Sequence, residues 1–188
     1  KTAFRVVADD VHLGGTLGRY AINTLKAKSI AVIDDRTAYG QGVAEEFKKA
    51  AQAAGGKIVG HEFTNDKASD FMAILTTLKA KKPDVIFFGG MDAVGGPMLR
   101  QMKQLGVAAK LVGGDGLCTS EMIKLSAEAL GNEQVYCVEA GGVDGEDITV
   151  HRVPRTGIGQ FIAESRARGL GIDVRLLMLL APDIMGGE

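Results

Sequence analysis

Four short clusters in this sequence carry side chains able to hold a small ligand. They are Asp9-Asp10, the run Asp34-Asp35-Arg36-Thr37-Ala38-Tyr39-Gly40, Gly89-Gly90-Met91-Asp92 and Gly113-Gly114-Asp115-Gly116. A carboxylate can take an ammonium group through charge-assisted hydrogen bonds. Several carboxylates converging on one point can take Mg²⁺ instead, which here would require Asp9, Asp34 and Asp92 to meet. Otherwise Asp34 and Asp35 read as solvated helix caps. Other chemistries have weaker support. No serine stands in a G-x-S-x-G elbow, and neither G-x-x-x-x-G-K-[ST] nor a G-x-G-x-x-G after the first strand is present. Cys118 and Cys137 have no histidine or second cysteine pair at zinc spacing, so no metal site is assigned. His12, His61 and His151 are scattered and read as structural or solvated.

The elements that must position these clusters alternate regularly. Residues 4–7, 29–33, 57–63, 84–88, 110–113 and 134–139 read as strands, several of them unbroken β-branched and aromatic runs. Between them lie helical periodicities: 13–26, 42–54 closed by Gly55-Gly56, a helix capped by Ser69 or Asp70 and running to Lys81, one opening near Pro97 and reaching Leu105, and one capped by Thr119 or Ser120. Strands alternating with helices of this length imply an α/β fold: a parallel sheet with right-handed crossovers and helices on both faces. In such a sheet ligands bind beyond the carboxyl ends of the strands. All four clusters follow strands.

Composition narrows the class. The chain has 188 residues, with 22 basic and 23 acidic groups and a net charge of −1, which excludes a strongly basic nucleic-acid binder. Apolar runs stop at about six residues, short of the roughly 18–20 that span a bilayer. Gly is frequent, at 26, and Trp is absent, which favours tight strand–helix turns over aromatic platforms. No basic start with an apolar h-region is present, so any signal peptide is expected to have gone.

The chain changes character near residue 140. Residues 1–139 hold 13 Lys and 4 Arg, whereas 140–188 hold no Lys and 5 Arg. A natural linker and a stretch read partly out of frame are both open readings of this tail.

Residues 5–10 (Arg-Val-Val-Ala-Asp-Asp), 31–42 (Ala-Val-Ile-Asp-Asp-Arg-Thr-Ala-Tyr-Gly-Gln-Gly), 87–91 (Phe-Phe-Gly-Gly-Met) and 111–116 (Leu-Val-Gly-Gly-Asp-Gly) resemble the second lobe of branched-chain amino-acid (leucine/isoleucine/valine) binding proteins. These are periplasmic components of ABC importers with the type I periplasmic-binding fold. The resemblance covers residues 1–143. It implies a non-enzymatic, substrate-binding role with no cofactor, a small amino-acid ligand, a membrane permease as partner and a periplasmic location. It also implies a first lobe that this stretch would lack, leaving 144–188 as an atypical tail partly returning towards that lobe. Tyr39 matches the aromatic that faces the ligand. Asp115 matches the acid, often Glu, that binds the ligand's ammonium. Met91 stands where the family often has Tyr, leaving a soft apolar contact. A ligand-sensing receptor or regulator on the same fold is the alternative.

The implied periplasm is oxidising, so the resemblance also points to a Cys118–Cys137 disulfide. Two small hydrophobes that never touch are the other reading.

Overall fold

A computed structural model describes residues 8–131 and 133–138. All lie in the first of the chain's two units, Lys1–Val150. The strand expected at 4–7, the tail at 144–188 and His151 fall outside the described residues.

The elements in chain order are α1 (Asp10–Asn23), β1 (Ser29–Asp34), α2 (Ala38–Ala53), β2 (Lys57–Phe63), α3 (Met72–Ala80), β3 (Val85–Gly89), α4 (Asp92–Leu105), β4 (Lys110–Gly113), α5 (Ser120–Ser126) and β5 (Val135–Cys137), with short 3₁₀ turns at Asp115–Leu117 and Ala127–Ala129. The strands form one sheet in the order β2-β1-β3-β4-β5. Every described pairing is parallel, as in Ile30↔Val85, Val85↔Lys110 and Leu111↔Val135.

Alternation along the strands divides the core into two layers. Ile30, Val32, Val85, Phe87 and Val112 face α1 and α2, meeting Leu13, Leu17, Val43 and Phe47. Ala31, Ile33, Ile86, Phe88 and Leu111 face α3, α4 and α5, meeting Leu75, Leu78, Met98, Met102 and Met122. A sheet buried on both faces needs apolar residues at consecutive positions, which is why these strands read as unbroken hydrophobic runs. On the first face the Phe47 and Phe87 rings stack with centroids 4.0 Å apart.

Helix α1 lies unusually close to α2. A Cβ on Gly14 would come within 2.6 Å of the Val43 carbonyl oxygen, and one on Gly18 within 2.6 Å of the Phe47 carbonyl oxygen. The four-residue spacing puts both glycines on one stripe of the helix, so its backbone rests against α2.

Several boundaries differ from the expected ones. Helix α2 begins at Ala38 because Thr37 caps it, accepting from Gly40 N at 2.9 Å. Helix α3 begins at Met72, with Asp70 reduced to a turn that accepts Met72 N at 3.0 Å. Helix α4 begins at Asp92, so Pro97 lies inside it rather than at its start. Strand β5 is confined to three residues.

Candidate functional site

The crossovers part at the carboxyl edge of the sheet. The connection after β1 turns to the face carrying α2, whereas those after β3 and β4 turn to the face carrying α4 and α5. The neighbours β1 and β3 therefore open a crevice at their carboxyl ends, the expected ligand position in such a sheet. The two strand ends are stitched at its floor: Asp35 N donates to the Gly89 carbonyl at 3.0 Å. Asp35 is buried and its Oδ1 accepts both the Thr37 amide, at 3.0 Å, and the Thr37 hydroxyl, at 2.6 Å.

Tyr39 and Asp115 meet across this crevice. Tyr39 sits in the first turn of α2, not in the loop before it as the sequence suggested. Its hydroxyl donates to Asp115 Oδ1 at 2.7 Å and accepts from Gly116 N at 3.4 Å. Burial, reinforced by the hydrogen bond to Asp115 and that residue's charge, pushes the Tyr39 hydroxyl well above the ordinary tyrosine range. Gly114 makes the approach possible, since a Cβ there would fall 2.4 Å from the Tyr39 oxygen. Met91, the N-cap of α4, is 48% exposed and is thus no core methionine. Its sulfur lies over Gly116, where a Cβ would come within 2.7 Å of it. The three side chains named from the sequence thus gather around one turn, Asp115–Leu117.

That turn is fastened at its far end. Cys118 N donates to the Asp115 carbonyl at 2.9 Å, and Cys118 is joined to Cys137 of β5 by a disulfide with Cα atoms 5.6 Å apart. The Thr119 hydroxyl donates to Asp92 Oδ2 in the first turn of α4, while also accepting Met122 N at 3.0 Å as the cap of α5.

The acids proposed for a metal do not converge. Asp34 is buried beneath His61, with Oδ2 2.7 Å from Nε2, and Lys48 Nζ lies 3.2 Å from the other ring nitrogen. Asp92 is engaged by Thr119, and Asp9 caps α1 by accepting His12 N at 2.9 Å. Among the described residues, no group of three or more His, Cys, Asp or Glu could hold a metal ion. Asp34 and Asp35 are each only 2% exposed, so the reading as solvated caps is corrected. Turn amides serve Asp34 Oδ1 and Asp35 Oδ1 and the His61 ring serves Asp34 Oδ2, whereas Asp35 Oδ2 is buried without a hydrogen-bond partner.

The sequence reading missed three participants. Gly116 N was invisible because backbone donors leave no trace in residue type. The Thr119–Asp92 bond joins two helix starts 27 residues apart, and Thr119 was legible only as a cap. His61 forms its bridge through an edge strand, and only its position opposite Asp34's strand could have suggested it. Among the described residues no helix is long and apolar enough to cross a membrane.

Comparison with known proteins agrees with this architecture. The family model described as periplasmic binding protein matches residues 1–147. An amino acid binding protein of Pseudomonas aeruginosa is 37% identical over 119 residues, covering 63% of this chain and 32% of the relative. Leu/Ile/Val-binding protein homolog 1 of Brucella abortus is 35% identical over 127 residues, covering 68% and 34%. The leucine binding protein LivK of Thermotoga maritima superposes with a TM-score of 0.68 at 22% identity, covering 85% of this chain and 44% of that one, a likeness of fold. The chain spans about a third of the length of the curated relatives it matches. With the model matching more than three-quarters of its residues and the parallel sheet agreeing, the chain belongs to the periplasmic binding protein family.

Proposed function

We propose that this chain supplies one wall of the binding cleft of an ABC importer's substrate-binding protein, for branched-chain or other small amino acids. The observation that carries the reading is the Tyr39–Asp115 hydrogen bond at the carboxyl edge of β1 and β4. Asp115 keeps a second oxygen for a ligand ammonium, a charge-assisted contact. Tyr39 fixes the first oxygen, and half-exposed Met91 offers an adaptable apolar surface to an aliphatic side chain. The names of the relatives support the ligand class: one binds leucine, isoleucine, valine, threonine and alanine. On this reading the protein is periplasmic and not an enzyme, the remaining contacts come from a first lobe, and the partner in the membrane is the cognate permease.

The test is a thermal-shift titration against the free amino acids, since a bound ligand stabilises the fold by RT ln(1 + [L]/Kd). Leucine, isoleucine or valine should raise the melting temperature, and Asp115→Ala should abolish the rise. Read on the two-lobed protein that completes the cleft, no shift with any amino acid, or an unchanged shift in Asp115→Ala, would overturn the reading.

A further inference from the structure

We propose that the Cys118–Cys137 disulfide is a positioning device for the Asp115 carboxylate, and not only a brace on the fold. The inference rests on the reading of Asp115 as the ammonium-binding acid. Asp115 stands on a single 3₁₀ turn, Asp115–Leu117, between the end of β4 and the start of α5. One side of that turn leaves the sheet at Gly113, which pairs with Cys137. The other side ends at Cys118, whose amide closes the turn on the Asp115 carbonyl at 2.9 Å. The disulfide therefore returns the end of the turn to the strand residue lying beside its beginning. Beginning and end are both tied to one rung of the sheet, and the four residues between them have little freedom.

The remaining fastenings cannot do this alone. The Tyr39 hydroxyl holds Asp115 and Gly116 from α2, and Thr119 holds the next residue to Asp92 on α4. These contacts reach the turn from opposite faces of the sheet, and both are hydrogen bonds next to a partly open crevice. Strand β5 has only three residues and pairs with β4 alone among the described strands. Tyr136 and Val138 seat this end of the sheet in the core and Leu117 seats the middle of the turn, but without the covalent link only such packing and hydrogen bonds hold the backbone at Asp115 and Cys118. Binding would then have to supply the ordering of the turn, which lowers apparent affinity. Both cysteines are partly accessible, so a dithiol reductant can reach them. Exchange converts the disulfide to two thiols while the reductant closes to its own cyclic disulfide.

The experiment, on the two-lobed protein, compares the oxidised form with the dithiothreitol-reduced form and with the double variant Cys118→Ser, Cys137→Ser. It is run at a temperature where circular dichroism shows all three folded. The reduced wild type serves alone should the variant not fold. Amide hydrogen exchange is read at Gly116, Leu117 and Cys118, with Val32 and Phe87 as internal references, and leucine affinity is measured by calorimetry. We expect exchange at the turn to accelerate at least tenfold on reduction with the reference amides unchanged, and leucine affinity to fall about tenfold. A brace acting only on the unfolded chain would lower the melting temperature and leave exchange at the turn and leucine affinity as they were, which overturns the inference. The two readings fail separately. Turn exchange that responds to reduction in a chain that binds no amino acid would sustain the positioning role and sink the assignment of ligand. Equal leucine binding and equal exchange in both redox states would do the reverse.

Discussion

The Tyr39 hydroxyl and the Asp115 carboxylate lie 76 residues apart in the chain and 2.7 Å apart in space, joining the first turn of α2 to the turn after β4. Helices on opposite faces of the sheet are thereby linked at its carboxyl edge. The bond serves two ends: it satisfies a half-buried phenol and leaves one carboxylate oxygen for another partner. Tyr39→Phe should cost about 1 kcal/mol of stability, the usual worth of one such bond. Leucine affinity should fall roughly tenfold, about 1.4 kcal/mol, as the acid loses its fixed orientation. Urea unfolding and calorimetry measure the two effects.

Asp115→Ala removes the charge itself. If the ammonium is buried against it, binding should weaken by about 2–5 kcal/mol, and stability without ligand should fall by about 1 kcal/mol or more, since the Tyr39 hydroxyl loses its acceptor. Asp115→Asn should lose nearly as much affinity, because an amide offers no charge. An isosteric variant that binds normally would place the ammonium elsewhere.

The raised Tyr39 hydroxyl predicts a specific alkaline sensitivity. Folded chains keep this proton at pH values where unfolded ones, titrating near the ordinary 10.0, have lost it. Its contribution is complete below about pH 10 and drains away as pH rises further. Denaturant midpoints measured between pH 9 and 11.5 should therefore fall more steeply for the wild type than for Tyr39→Phe.

At the opposite edge of the sheet, Asp84 gathers the amides of Lys28 and Ser29, both at 2.8 Å, and the Ser29 hydroxyl at 3.0 Å, on one oxygen. The Ser29 amide bond is the chief cause of a carboxyl held below its ordinary 3.8. This contribution is present above about pH 3.8 and is lost as pH falls below it. Asp84→Ala should cost roughly 1 kcal/mol at pH 7, with the difference from wild type narrowing in urea titrations as pH falls below about 3.8.

In the core, Phe47 stacks on Phe87 and is fully buried. Phe47→Ala should destabilise by about 3–5 kcal/mol. Gly18→Val, which adds bulk where the Phe47 carbonyl lies 2.6 Å from a bare Cβ position, should also unfold the α1–α2 pair. Thermal melts report both.

Much of this architecture was legible because the inner strands β1, β3 and β4 are buried on both faces and must be written in consecutive apolar residues; the runs at 30–33 and 85–88 could be little else. The helix starts were less legible. Pro97 suggested a beginning near itself, but Asp92 opens the helix five residues earlier and the ring is accommodated within it. The helical place of Tyr39 is not legible either, because nothing in its own residue type announces that Thr37 caps the helix one turn before Gly40. The clusters at the strand ends were readable from the rule for parallel sheets. The pairing of Tyr39 with Asp115 was not, since it depends on how two distant crossovers pack. Likewise Asp34 and Asp35 looked solvated because charge usually seeks water, and only the folded chain supplies the amides and imidazole that replace it.

The strand order has a consequence in time. Strand β1 pairs with β2 at Ser29↔Lys57 and with β3 at Ile30↔Val85. Its second neighbour thus emerges some 55 residues after it, and no hairpin in the described sheet offers a local nucleus. At synthesis rates of about 5–20 residues per second, β1 waits roughly 3–11 s with one hydrogen-bonding edge bare. Parallel pairings of this separation close slowly. During that interval an apolar, adhesive ribbon is exposed on the nascent chain. The same strand that later anchors the crevice is therefore the one whose edge stays open longest between its two pairings in the described sheet.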